Sequence, residues 1–173
     1  LVLSWAKKQI NSGADAIWID LLYSQANLLK SMTGDVNHPA VQESYAAAAK
    51  LVDEIHSYGE SKGKYIYVGT WAEYFIDFPG QLPKLDFVTT SPKPEEILSG
   101  TLNSEKWDLL KAGIKNKFGD IPYFAFIDWG GMPNAPIDVF SQQLSKEQQA
   151  EFLKKADAFF QSKGIIFSYP VHG

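Results

Sequence analysis

The hydrophobic and polar positions alternate between short apolar runs and longer stretches with helical spacing. Five apolar runs bounded by glycine, proline or polar residues predict strands, at 14–20, 64–70, 85–90, 121–128 and 165–169. Apolar residues at helical spacing predict helices at 2–10, 40–62, 105–118 and 146–162. Ser104 and a capping box at Ser145 mark the start of the last two helices. Residues 21–38 are predicted to form a loop with a short helical piece, and the segment after residue 90 a second long loop.

Strands that alternate with helices predict an α/β fold with a parallel sheet and right-handed crossovers. The connections that enter strands are short, whereas those that leave strands are long and rich in Trp, Tyr, Pro and Gly. This asymmetry is typical of a (β/α)8 TIM barrel, in which the long loops form the active face. We therefore predict one α/β domain, 1–173, that forms strands four to eight of a barrel. The alternative is a doubly wound five-strand parallel sheet.

The ends of the chain bear on that choice. The chain opens in a predicted helix and closes on a predicted strand, the reverse of most doubly wound domains. We expect another chain or segment to supply the missing barrel strands, because five strands do not close a barrel.

Composition excludes several classes of function. A net charge of −4 argues against a nucleic-acid partner. No apolar run approaches the roughly 18 residues of a membrane span. The chain has no cysteine, which excludes thiolate metal sites, and no arginine, which disfavours phosphorylated substrates. No cofactor-binding motif is present, and we expect neither a cofactor nor a metal.

Two of the apolar runs end on an aspartate: GADAIWID on Asp20 and IPYFAFID on Asp128. The carboxyl ends of parallel strands share one edge of a sheet, so both side chains are candidates for the active face. Apolar neighbours favour the neutral form of a carboxyl group, which makes Asp128 the candidate acid. Polar residues follow Asp20, which makes it the candidate nucleophile or base, and Glu73 is an alternative acid. The structural alternative for each aspartate is a residue that caps the next loop.

With the strands numbered four to eight, the chain resembles the barrel glycoside hydrolases, whose catalytic carboxylates stand at the ends of strands four and seven. The resemblance rests on IWID and FIDW as sequence and on the whole chain as topology. The order Asp20, Glu73, Asp128 is similar to that of the alpha-amylase clan, although Trp18 replaces that clan's arginine. The resemblance implies a barrel with catalytic carboxylates and no particular clan.

Aromatic residues near predicted strand ends are candidates for stacking on sugar rings. The candidate substrate-binding residues are Trp71, Trp129, Tyr169, His172 and Tyr23. Trp18 shares a strand face with Asp20 and is a candidate to fill the barrel interior. Tyr65 and Tyr67 are predicted to lie in the core, and His56 to be structural.

Together these features predict a glycoside hydrolase that cleaves O-glycosidic bonds of a poly- or oligosaccharide. The alternatives are a non-catalytic carbohydrate-binding barrel and a barrel enzyme of phosphorylated metabolites, for which Gly130 and Gly131 would cradle a phosphate. Loops rich in Trp and Tyr favour an extracellular or secreted protein, and a cytoplasmic location is the alternative.

Overall fold

The computed structural model describes residues 1–72, 82–128 and 132–169. In these residues short strands alternate with helices. The strands are β1 (Ala16–Ile19), β2 (Tyr67–Trp71), β3 (Phe87–Thr90), β4 (Tyr123–Phe126) and β5 (Ile166–Ser168). The helices are α1 (Val2–Asn11), α2 (Ser24–Thr33), α3 (Pro39–Ser61), α4 (Pro94–Ser99), α5 (Ser104–Phe118), α6 (Pro136–Asp138) and α7 (Lys146–Ser162), and a π-helical turn at Val139–Gln143 follows α6.

The strands form one all-parallel sheet in the order β1-β2-β3-β4-β5. Ala16 lies opposite Tyr67 in the β1–β2 pair, and Phe124 lies opposite Ile166 in the β4–β5 pair. The predicted α/β fold with a parallel sheet is therefore confirmed. Within the described residues the sheet is not closed, and β1 and β5 are its edges.

Contacts between backbone positions divide the chain into two compact units. The first comprises Leu1–Val88 and Gly113–Ile121, and the second comprises Thr89–Ala112 and Pro122–Gly173.

Helix α3 forms the centre of the first unit. Pro39 starts the helix, and Nδ1 of His38 accepts a hydrogen bond from the Ala40 amide at 3.3 Å. The buried residues of the helix recur at helical spacing and therefore lie on one side of it. They are Val41, Tyr45, Ala48, Ala49, Val52, Ile55, His56 and Gly59. This side packs against α1, α2 and β2, which explains why the long apolar pattern of this segment predicted a helix correctly.

An aromatic cluster forms the centre of the second unit. Trp107 of α5 is fully buried, and its ring lies 4.6 Å from that of Phe160 on α7. Phe160 in turn stacks on Phe167 of β5, with 5.3 Å between ring centroids. The predicted capping box of α7 is present, because the Ser145 hydroxyl accepts from the Gln148 amide and the Gln148 side chain accepts from the Ser145 amide.

Some local predictions were wrong. Residues 24–33 form a regular helix of ten residues where a loop with a short helical piece was expected, and α4 lies inside the second predicted loop. Asn103 rather than Ser104 caps α5, since its side-chain oxygen accepts from the Lys106 amide at 3.0 Å.

Tyr65 and Tyr67 were predicted to lie in the core, and this prediction was wrong. Their side chains are 42% and 54% exposed. Tyr67 is the first residue of β2 and its exposed one, since the four residues that follow it in the strand are all buried.

Candidate functional site

A carboxylate and two tryptophans meet where β1 and β2 end. Asp20 directly follows β1, and one of its carboxylate oxygens accepts a hydrogen bond from Nε1 of Trp71, the last residue of β2, at 2.7 Å. The ring of Trp18 lies 5.4 Å from that of Trp71, in an edge-to-face arrangement of 70°. The structure therefore brings together two of the predicted site residues, Asp20 and Trp71, and adds Trp18.

The parallel register produces this arrangement. Ile19 lies opposite Thr70, so the residues that follow each of them, Asp20 and Trp71, are neighbours at the same edge of the sheet. The Thr70 hydroxyl donates to the Ile19 carbonyl oxygen at 2.5 Å. The end of β2 thus holds the end of β1 through two side chains, one on each face of the sheet.

The three side chains differ in exposure, and this determines what each can contact. Asp20 is exposed, Trp18 is half-buried, and Trp71 is only 9% exposed. The carboxylate and part of the Trp18 ring therefore face solvent, whereas the Trp71 ring is mostly covered. A carboxylate beside an aromatic ring can contact both the hydroxyls and the apolar C–H face of a sugar.

In the second unit, Asp128 lies two residues beyond β4 and is half-buried. Its amide donates to the Ser91 hydroxyl at 3.0 Å, and its carbonyl oxygen accepts from the Ile137 amide at 2.8 Å. These bonds fix the backbone at Asp128. Tyr169 follows β5 and is exposed, with its ring 5.3 Å from that of Phe167.

Tyr23 is buried, at 2% exposure, and its ring lies 5.1 Å from that of Tyr45. Burial, together with the neighbouring Tyr45, raises the pKa of the Tyr23 hydroxyl well above its usual value. Because the ring belongs to the packing between α2 and α3, we leave it outside the proposed site. Glu73, Trp129, His172 and the Gly130–Gly131 pair lie outside the described residues.

A second carboxylate in the first unit, Asp86, joins a helix and a strand by hydrogen bonds. Asp86, just before β3, accepts hydrogen bonds from His56 Nε2 and the Val68 amide, each at 2.8 Å, and from the Tyr65 hydroxyl. The bond to Asp86 is the main cause that raises the pKa of Tyr65 to about 12. The cluster lies at the amino end of its strand, where a parallel α/β fold places stabilising rather than catalytic groups. It gives buried His56 the structural role that was predicted.

Glu96 is the corresponding buried carboxylate of the second unit. It accepts from the Lys93 and Asn103 amides, each at 2.9 Å, and from Trp107 Nε1 at 3.0 Å, and it pairs with Lys106 at 2.7 Å. Burial raises the pKa of Glu96, but the hydrogen bonds from Lys106, the two amides and the indole outweigh it, so the pKa lies below its usual value. A carboxylate whose acceptor sites are all occupied by donors of the protein stabilises the fold.

Sequence reasoning located Asp20 but missed its hydrogen bond to Trp71. The sequence did indicate the contact by position, because Asp20 and Trp71 lie at the ends of successive predicted strands and the ends of adjacent parallel strands are neighbours. Among residues 1–72, 82–128 and 132–169, no group of three acidic or histidine side chains is placed to hold a metal ion. No helix in that part of the chain is long and apolar enough to cross a membrane.

No protein-family model matches the sequence, and no curated protein matches it significantly.

Proposed function

We propose that the protein is a glycoside hydrolase that cleaves O-glycosidic bonds of a poly- or oligosaccharide. The observation that carries the proposal is the exposed carboxylate of Asp20, held at 2.7 Å by Trp71 Nε1 where two parallel strands end. Trp18, half-buried beside it, offers an apolar surface to a sugar ring. Carboxylate and aromatic groups together are the chemistry that a saccharide site needs.

In this proposal Asp20 is the nucleophile or the base. Glycosidic cleavage needs one carboxylate that attacks the sugar or activates water, and a second carboxyl group that protonates the leaving oxygen. An exposed carboxylate that accepts a hydrogen bond suits the first role. Asp128, half-buried after β4, is the proposed acid, with Glu73 as the alternative. Trp129, Tyr169 and His172 are proposed further saccharide contacts.

We further propose that the sheet is part of a (β/α)8 barrel completed by another chain or segment. A doubly wound sheet reverses its strand order at a switch point, whereas the order β1-β2-β3-β4-β5 follows the chain as in a barrel. In the first unit, a cavity of about 530 Å³ lies between α1, β1 and α3, with Trp5, Trp18 and Asp20 in its walls. A further parallel strand would pair with the outer edge of β1, which has no neighbouring strand within the described residues.

Hydrolysis tests the functional proposal directly. The purified protein is incubated with α- and β-linked poly- and oligosaccharides of glucose, xylose, mannose, galactose and N-acetylglucosamine, and new reducing ends are measured. We expect release from at least one substrate and its loss in Asp20→Asn. The matched control is Asp15→Asn, at the other end of β1, where the carboxylate is exposed and pairs with Lys64 at 3.0 Å. This control should retain the activity.

Two other results would contradict the proposal. Saccharide binding without hydrolysis, measured by tryptophan fluorescence, would favour the non-catalytic carbohydrate-binding barrel. Binding of sugar phosphates in preference to neutral sugars would favour an enzyme of phosphorylated metabolites.

A further inference from the structure

Trp71 was predicted to present its ring to a sugar, but its surroundings indicate a different role. Its ring is only 9% exposed and packs edge-to-face against Trp18. Its polar atom points to the neighbouring strand, where Nε1 donates to Oδ1 of Asp20. An indole nitrogen is a donor only, so this contact requires an acceptor such as the carboxylate.

We infer that Trp71 is a positioning residue that fixes the orientation of the Asp20 carboxylate, and that Trp18 presents the aromatic surface to the saccharide. The inference deepens the proposed function and rests on it for its kinetic consequence. The contact itself can be tested separately.

An exposed aspartate side chain has considerable rotational freedom. Its carboxylate rotates broadly about χ2, so an exposed side chain at a strand end samples many orientations. A hydrogen bond of 2.7 Å to an anionic oxygen is short and charge-assisted, and it selects one of them. Trp71 can act as a fixed donor because its ring is packed and Thr70 ties the same strand end to Ile19.

Orientation matters for the proposed chemistry, because a reacting group must approach its target within a narrow range of distance and angle. A misplacement of about 1 Å can lower the rate roughly 100-fold. Ground-state binding depends less on this orientation and more on the aromatic surface. Loss of the indole donor is therefore expected to lower kcat, whereas loss of the Trp18 ring is expected to raise KM.

The first test detects the hydrogen bond without any substrate. The chain contains five tryptophans, so a ¹⁵N–¹H spectrum shows up to five indole signals, and Trp71→Phe identifies the signal of Trp71 by its disappearance. We expect Asp20→Ala to shift that signal and leave the others in place. Asp15→Ala should leave it unchanged. A Trp71 signal that does not respond to Asp20→Ala would overturn the inference. If Trp71→Phe fails to fold and leaves the signals unassigned, the absence of any indole shift in Asp20→Ala overturns it equally.

The second test separates positioning from packing by kinetics on the saccharide that is cleaved. Trp71→Phe keeps an aromatic ring but removes the donor, and we expect kcat to fall about 10- to 100-fold with KM changed less than about twofold. Trp5→Phe, an exposed tryptophan on α1, is the control and should keep both constants. Unchanged kcat in Trp71→Phe, or a rise in KM alone, would overturn the positioning role. If the unsubstituted protein, assayed together with the chain or segment that completes its barrel, cleaves no saccharide, the proposed function fails. The indole measurement alone then decides whether Trp71 orients Asp20.

Discussion

At the scale of single residues, hydrogen bonding distinguishes the carboxylates that stabilise the protein from Asp20, one of the two carboxylates that are proposed to react. Glu96 and Asp86 are each surrounded by donors from side chains and from the backbone. In the described part of the chain, the Asp20 carboxylate accepts a hydrogen bond only from Trp71 and remains exposed. A carboxylate with unused acceptor capacity at the carboxyl end of a strand can bind a ligand, whereas a saturated one cannot.

We predict that Glu96→Gln destabilises the protein by about 2–3 kcal/mol, because charged acceptors stabilise more than neutral ones and the amide turns a donor toward other donors. Urea unfolding measures this change. Glu151→Gln is the matched control, since Glu151 is exposed and its ion pair within the described residues is with Lys155 on the same helix. An equal effect of the two substitutions would contradict the account of Glu96.

The same carboxylate predicts a pH dependence. The pKa of Glu96 is lower in the folded state than its usual value, so its contribution is present above the usual glutamate pKa and is lost as pH falls through the folded pKa. The stability difference between the unsubstituted protein and Glu96→Gln should therefore shrink below about pH 4. A difference that grows on acidification would show that the sign is wrong.

The position of Asp20 could be predicted from sequence because a strand that ends on a polar residue is a local pattern. Its bond to Trp71 could not, since the two residues are 51 positions apart. The covered state of the Trp71 ring likewise depends on packing with Trp18.

At the scale of elements, a glycine sets the fit between β2 and β3. A Cβ added at Gly69 would overlap the ring of Phe87, so the ring occupies the space above the glycine. We predict that Gly69→Ala costs about 1–3 kcal/mol of stability, because the ring must move out of its packed position.

A double-mutant cycle tests whether overlap with the Phe87 ring causes the loss. Urea unfolding is measured for Gly69→Ala, Phe87→Leu and the double variant. A smaller side chain at position 87 should recover part of the loss. Strictly additive effects of the two substitutions would mean that the steric contact does not explain the cost.

The long helices could be predicted because they bury one regular side, as α3 does with Val52 and Ile55. Helices α2 and α4 could not. In α2 only Ala26 is buried, so its sequence shows little apolar periodicity. Helix α4 begins at Pro94 and spans only six residues. It is held by hydrogen bonds that Glu96 accepts from Lys93, before the helix, and from Asn103, after it.

At the scale of the whole molecule, the parallel sheet followed from the alternation of strands and helices, and the order of its strands follows the chain. The exposure of individual strand residues could not be predicted, because it depends on packing. Val68 is fully buried and its neighbour Tyr67 is 54% exposed, which corrects the expectation that both lie in the core.

We predict that Val68→Ala costs about 1–3 kcal/mol and Tyr67→Ser less than about 1 kcal/mol, because only the first substitution leaves a cavity. Urea unfolding of both variants measures the difference between these two positions of β2. Comparable losses would indicate that the Tyr67 side chain is covered as well, and would contradict its exposure.

The central proposal is that Asp20 and Asp128 both act on a glycosidic bond. Its most direct test is the kcat of Asp20→Asn, Asp128→Asn and the double variant on the same saccharide, with the exposed Asp120→Asn as a further control. We predict that each single variant lowers kcat by about 10²- to 10⁴-fold and that the double variant loses far less than the product of the two. Full activity in either single variant, or losses that multiply as independent effects, would contradict the claim.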